Sequence, residues 1–450
     1  MTWWRPKRQG EVRRLRCIAM IPVVALAIGA CGSTSPGAST HASSGGKYTA
    51  TRPTNRISAA PALLPLHAGI SANSGVVCSL LGSGQIKCWG DDSADELGSS
   101  VPSSQKCSSG DDCSLAPVQI AGVPIASAVS LGSEHACALA RTGTVWCWGD
   151  NKDGELGDGS TTASATPVQV SGLANATALS AGGAGDDFSC AVIRGGQVRC
   201  WGYDNDGELG DGATTNSSVP VAVRGITNAV SISAGGSQVC ALLAAATVSC
   251  WGDNVDGQVG MSFGNDPTIM VAGESYTTTP VTVSGLTNVA AVSAGWTDAC
   301  ALTKSGKVYC WGFNGDGELG NGATSGPGTC NGQQDCSYSP VAVSGVSDAV
   351  AIGAGGDASC AVLSIGSVDC WGGEYTGELG NGKIANGSDP TATGVLGISD
   401  AVAVGAGSGY ACALLKSGAV QCWGDNSTGE LATGSTHSAD ATPVAIQGIP

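Results

Sequence analysis

Cys300-Ala-Leu-Thr-Lys-Ser-Gly-Lys-Val-Tyr-Cys310-Trp-Gly-Phe-Asn-Gly-Asp-Gly-Glu-Leu-Gly320 is the clearest of seven copies of one stretch in this chain. The other copies carry Cys-Trp-Gly at Cys88, Cys147, Cys200, Cys250, Cys370 and Cys422. Each has a partner cysteine ten residues earlier, at Cys78, Cys137, Cys190, Cys240, Cys360 and Cys412. Successive copies start 59, 53, 50, 60, 60 and 52 residues apart. A period of this length means a propeller or solenoid, in which no unit buries its own core.

The copy reads as a β-hairpin. Cys-Ala-Leu and Val-Tyr-Cys-Trp flank the loop Lys304-Ser305-Gly306, and a three-residue hairpin loop needs positive φ in third place. Glycine fills that place in six copies (Gly84, Gly143, Gly196, Gly306, Gly366, Gly418), and Ala246 in the seventh. In this register Cys300 faces Cys310, within disulfide reach.

Two more short strands precede each hairpin, as in Pro280-Val-Thr-Val with Val289-Ala-Ala-Val-Ser-Ala-Gly295. Four strands per unit and seven units predict an all-β, seven-bladed β-propeller of four-stranded antiparallel blades over residues 57–450. The first unit lacks its Pro-Val strand and the chain finishes on Pro443-Val-Ala-Ile446. Closure of the ring by pairing that C-terminal strand with the first blade is the resulting expectation. Pro390-Thr391 breaks the Pro-Val signature, leaving the strand before Cys412 the least marked.

The N-terminal region has another character. Arg5, Lys7, Arg8, Arg13, Arg14 and Arg16 precede an apolar run from Cys17 to Ala30, too short to cross a bilayer as a helix. A basic region, an apolar stretch and small residues before a cut describe an export signal over 1–30. Ile28-Gly29-Ala30-Cys31 resembles a bacterial lipobox, which would place a lipid on Cys31 and the protein on the outer side of the cell membrane. Residues 31–56 then form the lipidated cysteine and a flexible tether rich in Gly, Ser, Thr, Ala and Pro.

Setting aside Cys17 and Cys31 leaves 18 cysteines: 14 in the hairpins and two Cys-x5-Cys pairs, Cys107/Cys113 and Cys330/Cys336. Regular pairs in an exported chain read as disulfides. Zinc is the rival, but four histidines (His41, His67, His135, His437) cannot complete a mixed site in every repeat. The net charge of −16 disfavours nucleic acid and anionic lipid headgroups and suits cationic partners or metal ions. A membrane association through the lipid alone follows, with a monomeric propeller.

Gly-x-x-His-x-Cys-Ala-Leu (Gly132 to Leu139), Gly-x-Val-x-Cys-Trp-Gly and Asn-x-x-Gly-Glu-Leu-Gly resemble the regulator of chromosome condensation repeat. The match recurs seven times over 57–450. It implies a propeller, in a family that includes a nuclear guanine-nucleotide exchange factor and a secreted bacterial inhibitor of β-lactamases. The paired cysteines and lipobox place this chain with the bacterial exported members. Only His135 keeps the family's histidine; Val76, Phe188, Gln238, Asp298, Ala358 and Tyr410 stand at that place in the other copies. Exchange activity on a cytosolic GTPase is not expected of an exported protein.

Little in the repeats suggests catalysis. Asp150-Asn-Lys-Asp-Gly-Glu-Leu-Gly has oxygen ligands at alternate positions, a hint of calcium, but the EF-hand order is unmet and turn chemistry accounts for it; no cofactor is expected. With His135 the only histidine in a repeated loop, no nucleophile–His–acid set is expected. Acidic pairs such as Asp186/Asp187 are candidates for glycoside chemistry.

Recognition is better supported. In an up-and-down blade, the loop between the Ala-Val strand and the hairpin shares a face with the long connections that carry the insertions. On that face the copies differ most: Glu134, His135, Asp186, Asp187, Phe188, Trp296, Asp298, Asp357 and Tyr410 are the candidate binding residues. A lipid-anchored binding scaffold for another macromolecule, a protein above all, is therefore the expectation. A carbohydrate-acting envelope enzyme and a structural envelope protein are the alternatives.

Overall fold

The computed structural model describes residues 69–98, 105–108, 110–261, 275–330, 333–385, 387–436 and 439–449. The export signal, Cys31 and the tether lie outside the described residues. Contacts divide the chain into Met1–Pro61 and Ala62–Pro450, and the second unit is the propeller.

Blade five shows how the repeat folds. An inner strand (Val289–Ala294) is followed by a second (Asp298–Thr303), a third (Val308–Phe313) and an outer strand (Gln333–Ala342). All neighbours are antiparallel. Cys300 faces Cys310, with Ala301 opposite Tyr309 and Leu302 opposite Val308. The bridge follows, with a Cα–Cα distance of 4.1 Å. Gly306 sits at φ 82°, and a Cβ there would lie 2.8 Å from Asp348 Cα, so the tip needs glycine for close approach as well as for conformation. Ala246 adopts φ 60° at the same place.

Seven such sheets form, and all nine expected disulfides with them, including the clips Cys107–Cys113 and Cys330–Cys336. Blade five gains a fifth strand, Gly328–Cys330, on its outer edge. Gly387–Gly394 is a full outer strand of blade six despite Pro390-Thr391, with Thr393 opposite Cys370.

Ring closure differs from the expectation. The C-terminal strand Asp440–Ala445 pairs with Val420–Gly424 in its own blade, with Val444 opposite Cys422. Blade one is complete without it, because Cys113–Gln119 supplies an outer strand containing Pro117-Val118. Each Pro-Val strand is the last strand of one blade, not the first of the next, so the repeat begins on the inner strand and no strand is orphaned. The long insertions accordingly join third and outer strands within a blade.

Side chains stitch the blades together instead. The motif tryptophans are fully buried, and each indole N–H donates to a backbone carbonyl in the Gly-Glu-Leu-Gly loop of the preceding blade. Trp371 Nε1 to Glu318 O is 2.8 Å, and a Cβ on Gly320 would come within 2.8 Å of that ring. Trp89 Nε1 to Glu430 O repeats the bond between blades one and seven at 2.7 Å. Around the channel, Ser71, Ser130, Ser180, Ser233 and Ser293 each accept a backbone N–H from the next blade.

Candidate recognition face and blade seams

Antiparallel order fixes two faces. The loops between inner and second strands and the insertion-bearing connections share one; the hairpin turns and blade-to-blade links share the other. Backbone bonds knit the first set together, as Asp150 N–H to Glu134 O and Phe313 N–H to Thr297 O.

The structure corrects much of the expected binding set. His135, Asp187, Phe188, Asp298 and Tyr410 are at most 2% exposed, so they offer nothing to a partner. The family histidine position opens the second strand and points into the seam with the following blade. Tyr410 donates its hydroxyl to Val76 O of blade one at 2.6 Å. Gln238 donates to Gly295 O and Asp298 O of blade five. Phe188 packs with Val239 and Trp251. Asp298 approaches Ser359 of blade six, and burial pushes its carboxyl up to about 8. The chemical variety at this position is seven local solutions to one packing problem, which sequence alone could not tell from variety on an exposed loop.

Between blades two and three the seam assembles a set the sequence did not suggest. His135 Nδ1 lies 2.8 Å from Asp187 Oδ2, and its Nε2 lies 2.7 Å from Ser189 Oγ. Asp187 Oδ2 also accepts the Glu134 N–H. The order of bonds is that of a nucleophile, base and acid. All three side chains are fully enclosed, with Ser189 Oγ against the Cys137 sulfur at 3.5 Å, so no substrate reaches the hydroxyl. Asp186 is exposed while Asp187 faces His135, so the two carboxylates do not share a glycoside site.

Glu134, Trp296 and Asp357 are half-buried on the insertion-bearing face. Glu134 pairs with Lys152 at 2.9 Å. Trp296 lines the mouth of the central cavity, about 60 Å³, and its indole N–H reaches Asn73 Oδ1 of blade one at 3.4 Å. Missed by the sequence reading is Tyr375, 41% exposed, which donates its hydroxyl to Asp316. The glycine-rich strip of blade six joins these groups: Gly356 lies against the Trp296 ring, and Gly373 against both Asp357 and the Tyr375 ring. With half-buried Phe313 beside Gly315, blades five and six present aromatics bounded by Asp316 and Asp357. The signal in the sequence was Glu374-Tyr375 where the other copies carry Asp or Asn followed by Ser, Lys, Asn, Val or Gly.

The Asn-x-x-Gly-Glu-Leu-Gly loops use their oxygens internally. Asn151 Oδ1 accepts the Leu156 N–H and Glu155 Oε2 accepts the Asp153 N–H. The same pair of bonds recurs at Asp204/Glu208 and Asn314/Glu318. These are turn-closing bonds.

Residues 85–449 match the model of the RCC1-like domain. The chain belongs to the RCC1-like domain family. Curated relatives include the human E3 ubiquitin-protein ligase HERC2, 26% identical over 69% of this chain but 5% of that protein. The mitochondrial RCC1 domain-containing protein RUG3 of Arabidopsis thaliana is 31% identical over 34% of this chain and 35% of its own. The chain thus spans well under two thirds of these relatives. Among solved structures, Prp20p of Saccharomyces cerevisiae aligns with a TM-score of 0.67 at 22% identity, over 85% of this chain and 88% of that one. Human WBSCR16 gives 0.66 at 20% identity, over 81% and 94%. These likenesses are in fold. Within the RCC1-like family frame, nine disulfides suit an oxidising, extracellular compartment.

Proposed function

We propose that this chain is an exported, lipid-anchored RCC1-like scaffold that binds a protein partner with a basic surface on its insertion-bearing face. One observation carries the reading: Trp296 lines the channel mouth, and on the same face Tyr375 reaches across the seam to Asp316, with Asp357 and half-buried Phe313 among the same loops. Aromatic faces beside carboxylates favour Lys and Arg side chains through cation–π attraction and charge together. The rigid blades hold these groups in place, so little entropy is lost on binding. Support also comes from the fold, since solved propellers of this kind include yeast RCC1 (Prp20) bound to Kap60.

The test is capture from envelope extract on the immobilised protein, followed by titration of the captured partner. Trp296→Ala and Tyr375→Ala should each weaken binding by about 2–4 kcal/mol, while Lys304→Ala on the opposite face leaves it unchanged. Equal affinities for all three variants would dismiss this face.

A further inference from the structure

The overall negative charge conceals a division between the two faces. Six basic residues (Arg141, Arg194, Arg224, Lys304, Lys307 and Lys416) lie exposed on or beside the hairpin turns and blade-to-blade links. Arg141, Arg194, Lys304 and Lys416 take the first place of their turns, and no turn carries an acid. The links contribute Asp348 and Asp400 as counter-charges, and Asp369, just past the blade-six turn and within electrostatic reach of Asp348, adds a third. Asp95, Asp153, Asp186, Asp206, Asp316, Asp357 and Asp425 stand on the opposite face.

The same turn face carries most of the exposed large apolar side chains. Ile365 tips the blade-six turn at 76% exposure, and Ile125 and Leu396 project from the links. Val230, Val350 and Val402 are the extra residues of bulges near the ends of inner strands, where the register skips them and turns their side chains outward. The chain also enters the ring here: Gly69 O accepts the Leu80 N–H just before the first hairpin turn.

We propose that the hairpin-turn face docks on an anionic lipid surface, with the basic turns at the headgroups and the aliphatic residues dipping between them. Charge complementarity selects the lipid surface, and the acidic opposite face turns away from it. The orientation leaves the aromatic face toward solvent, and it rests on the proposed function only in setting the protein at a membrane.

Hydrogen–deuterium exchange on the full chain carrying Cys31→Ser, with phosphatidylglycerol–phosphatidylcholine vesicles or with phosphatidylcholine alone, tests it. Anionic vesicles should slow exchange in the turns around 141–143, 194–196, 304–306 and 416–418 by roughly tenfold, an effect that added salt removes. The combined variant Arg141→Gln, Arg194→Gln, Lys304→Gln and Lys416→Gln should lose that protection. The opposite-face variant Lys106→Gln, Lys152→Gln and Lys383→Gln should keep it. The N-terminal arginines are common to every chain, so the difference reads the face. Unchanged exchange, protection on the acidic face, or protection indifferent to the turn substitutions would overturn the docking. Release of the protein from membranes by Cys31→Ser in cells tests the lipid anchor separately.

Discussion

Trp89 of blade one donates its indole N–H to the carbonyl of Glu430 in blade seven at 2.7 Å, and this bond joins the two ends of the described ring. Lys87 Nζ adds a bond to Gly448 O beside it, also 2.7 Å. The closing seam is built like the internal ones, so it should be about as strong. Trp89→Phe keeps most of the packing and removes one buried hydrogen bond, leaving the carbonyl unpaired. A loss of about 1–3 kcal/mol in denaturant unfolding is expected, and about the same from Trp251→Phe at an internal seam. A much larger loss at Trp89 would mean that closure is a special event.

Carboxyls buried in the loops beneath those tryptophans should make stability depend on pH. Burial raises Glu96 and Glu318 from 4.5 to about 8, and Glu155 and Glu430 to about 7. The folded state then holds protons that the unfolded chain has released. Stability is therefore full below the ordinary glutamate range, falls as pH climbs from 4.5 to about 8, and levels off above. Blade four has Gln258 at this place, and it accepts the same turn-closing N–H, from Asp256, without a charge. Glu155→Gln and Glu318→Gln should raise the Tm at about pH 8.5 and flatten its fall from about pH 5, each by up to about 1 kcal/mol per pH unit. A Tm that rises over this range in the parent chain would contradict the assignment.

The fold was largely legible because the period, the turn glycines and the cysteine spacing are local signals. Cys300 and Cys310 face each other as that spacing requires. The phase of the repeat was not legible: a Pro-Val strand lies midway between two hairpins, and only pairing such as Val444 with Cys422 shows which one owns it. The recognition face was legible in topology but not residue by residue. Tyr410 and Phe188 look like exposed anchors in sequence, yet an aromatic opening a strand serves a seam as readily as a surface. Tyr375 was hidden because it stands at a freely varying place inside a turn motif, where the other copies carry Ser, Lys, Asn, Val or Gly.

The disulfides should be separable in their effects. Each hairpin bridge closes a loop of ten residues and should contribute about 2–3 kcal/mol on chain entropy alone. Cys300→Ala with Cys310→Ala should therefore lower unfolding free energy by at least that much, since both sulfurs are buried. The pair Cys107→Ser with Cys113→Ser touches an insertion and should leave the blade cores intact. Non-reducing peptide mapping of the parent chain should show nine bridges, none joining two blades.

The seam between blades two and three tests whether the buried polar set is an isolated electrostatic solution. His135 is the side-chain partner of the fully buried Asp187 carboxylate, whose Oδ1 has no hydrogen-bond partner. His135→Phe would leave that carboxylate with the Glu134 N–H alone and should cost about 3–5 kcal/mol. The next seam offers the apolar counterpart: Phe188 packs with Val239, and Ser237 stands where blade three has Asp187. Transplanting it as His135→Phe, Asp187→Ser and Ser189→Val removes the stranded charge and both polar partners together. Stability should recover to within about 1–2 kcal/mol of the parent, because replacing a whole buried polar set by packed apolar groups is often near neutral. A triple variant as unstable as His135→Phe alone would show that shape, not charge, makes this histidine necessary.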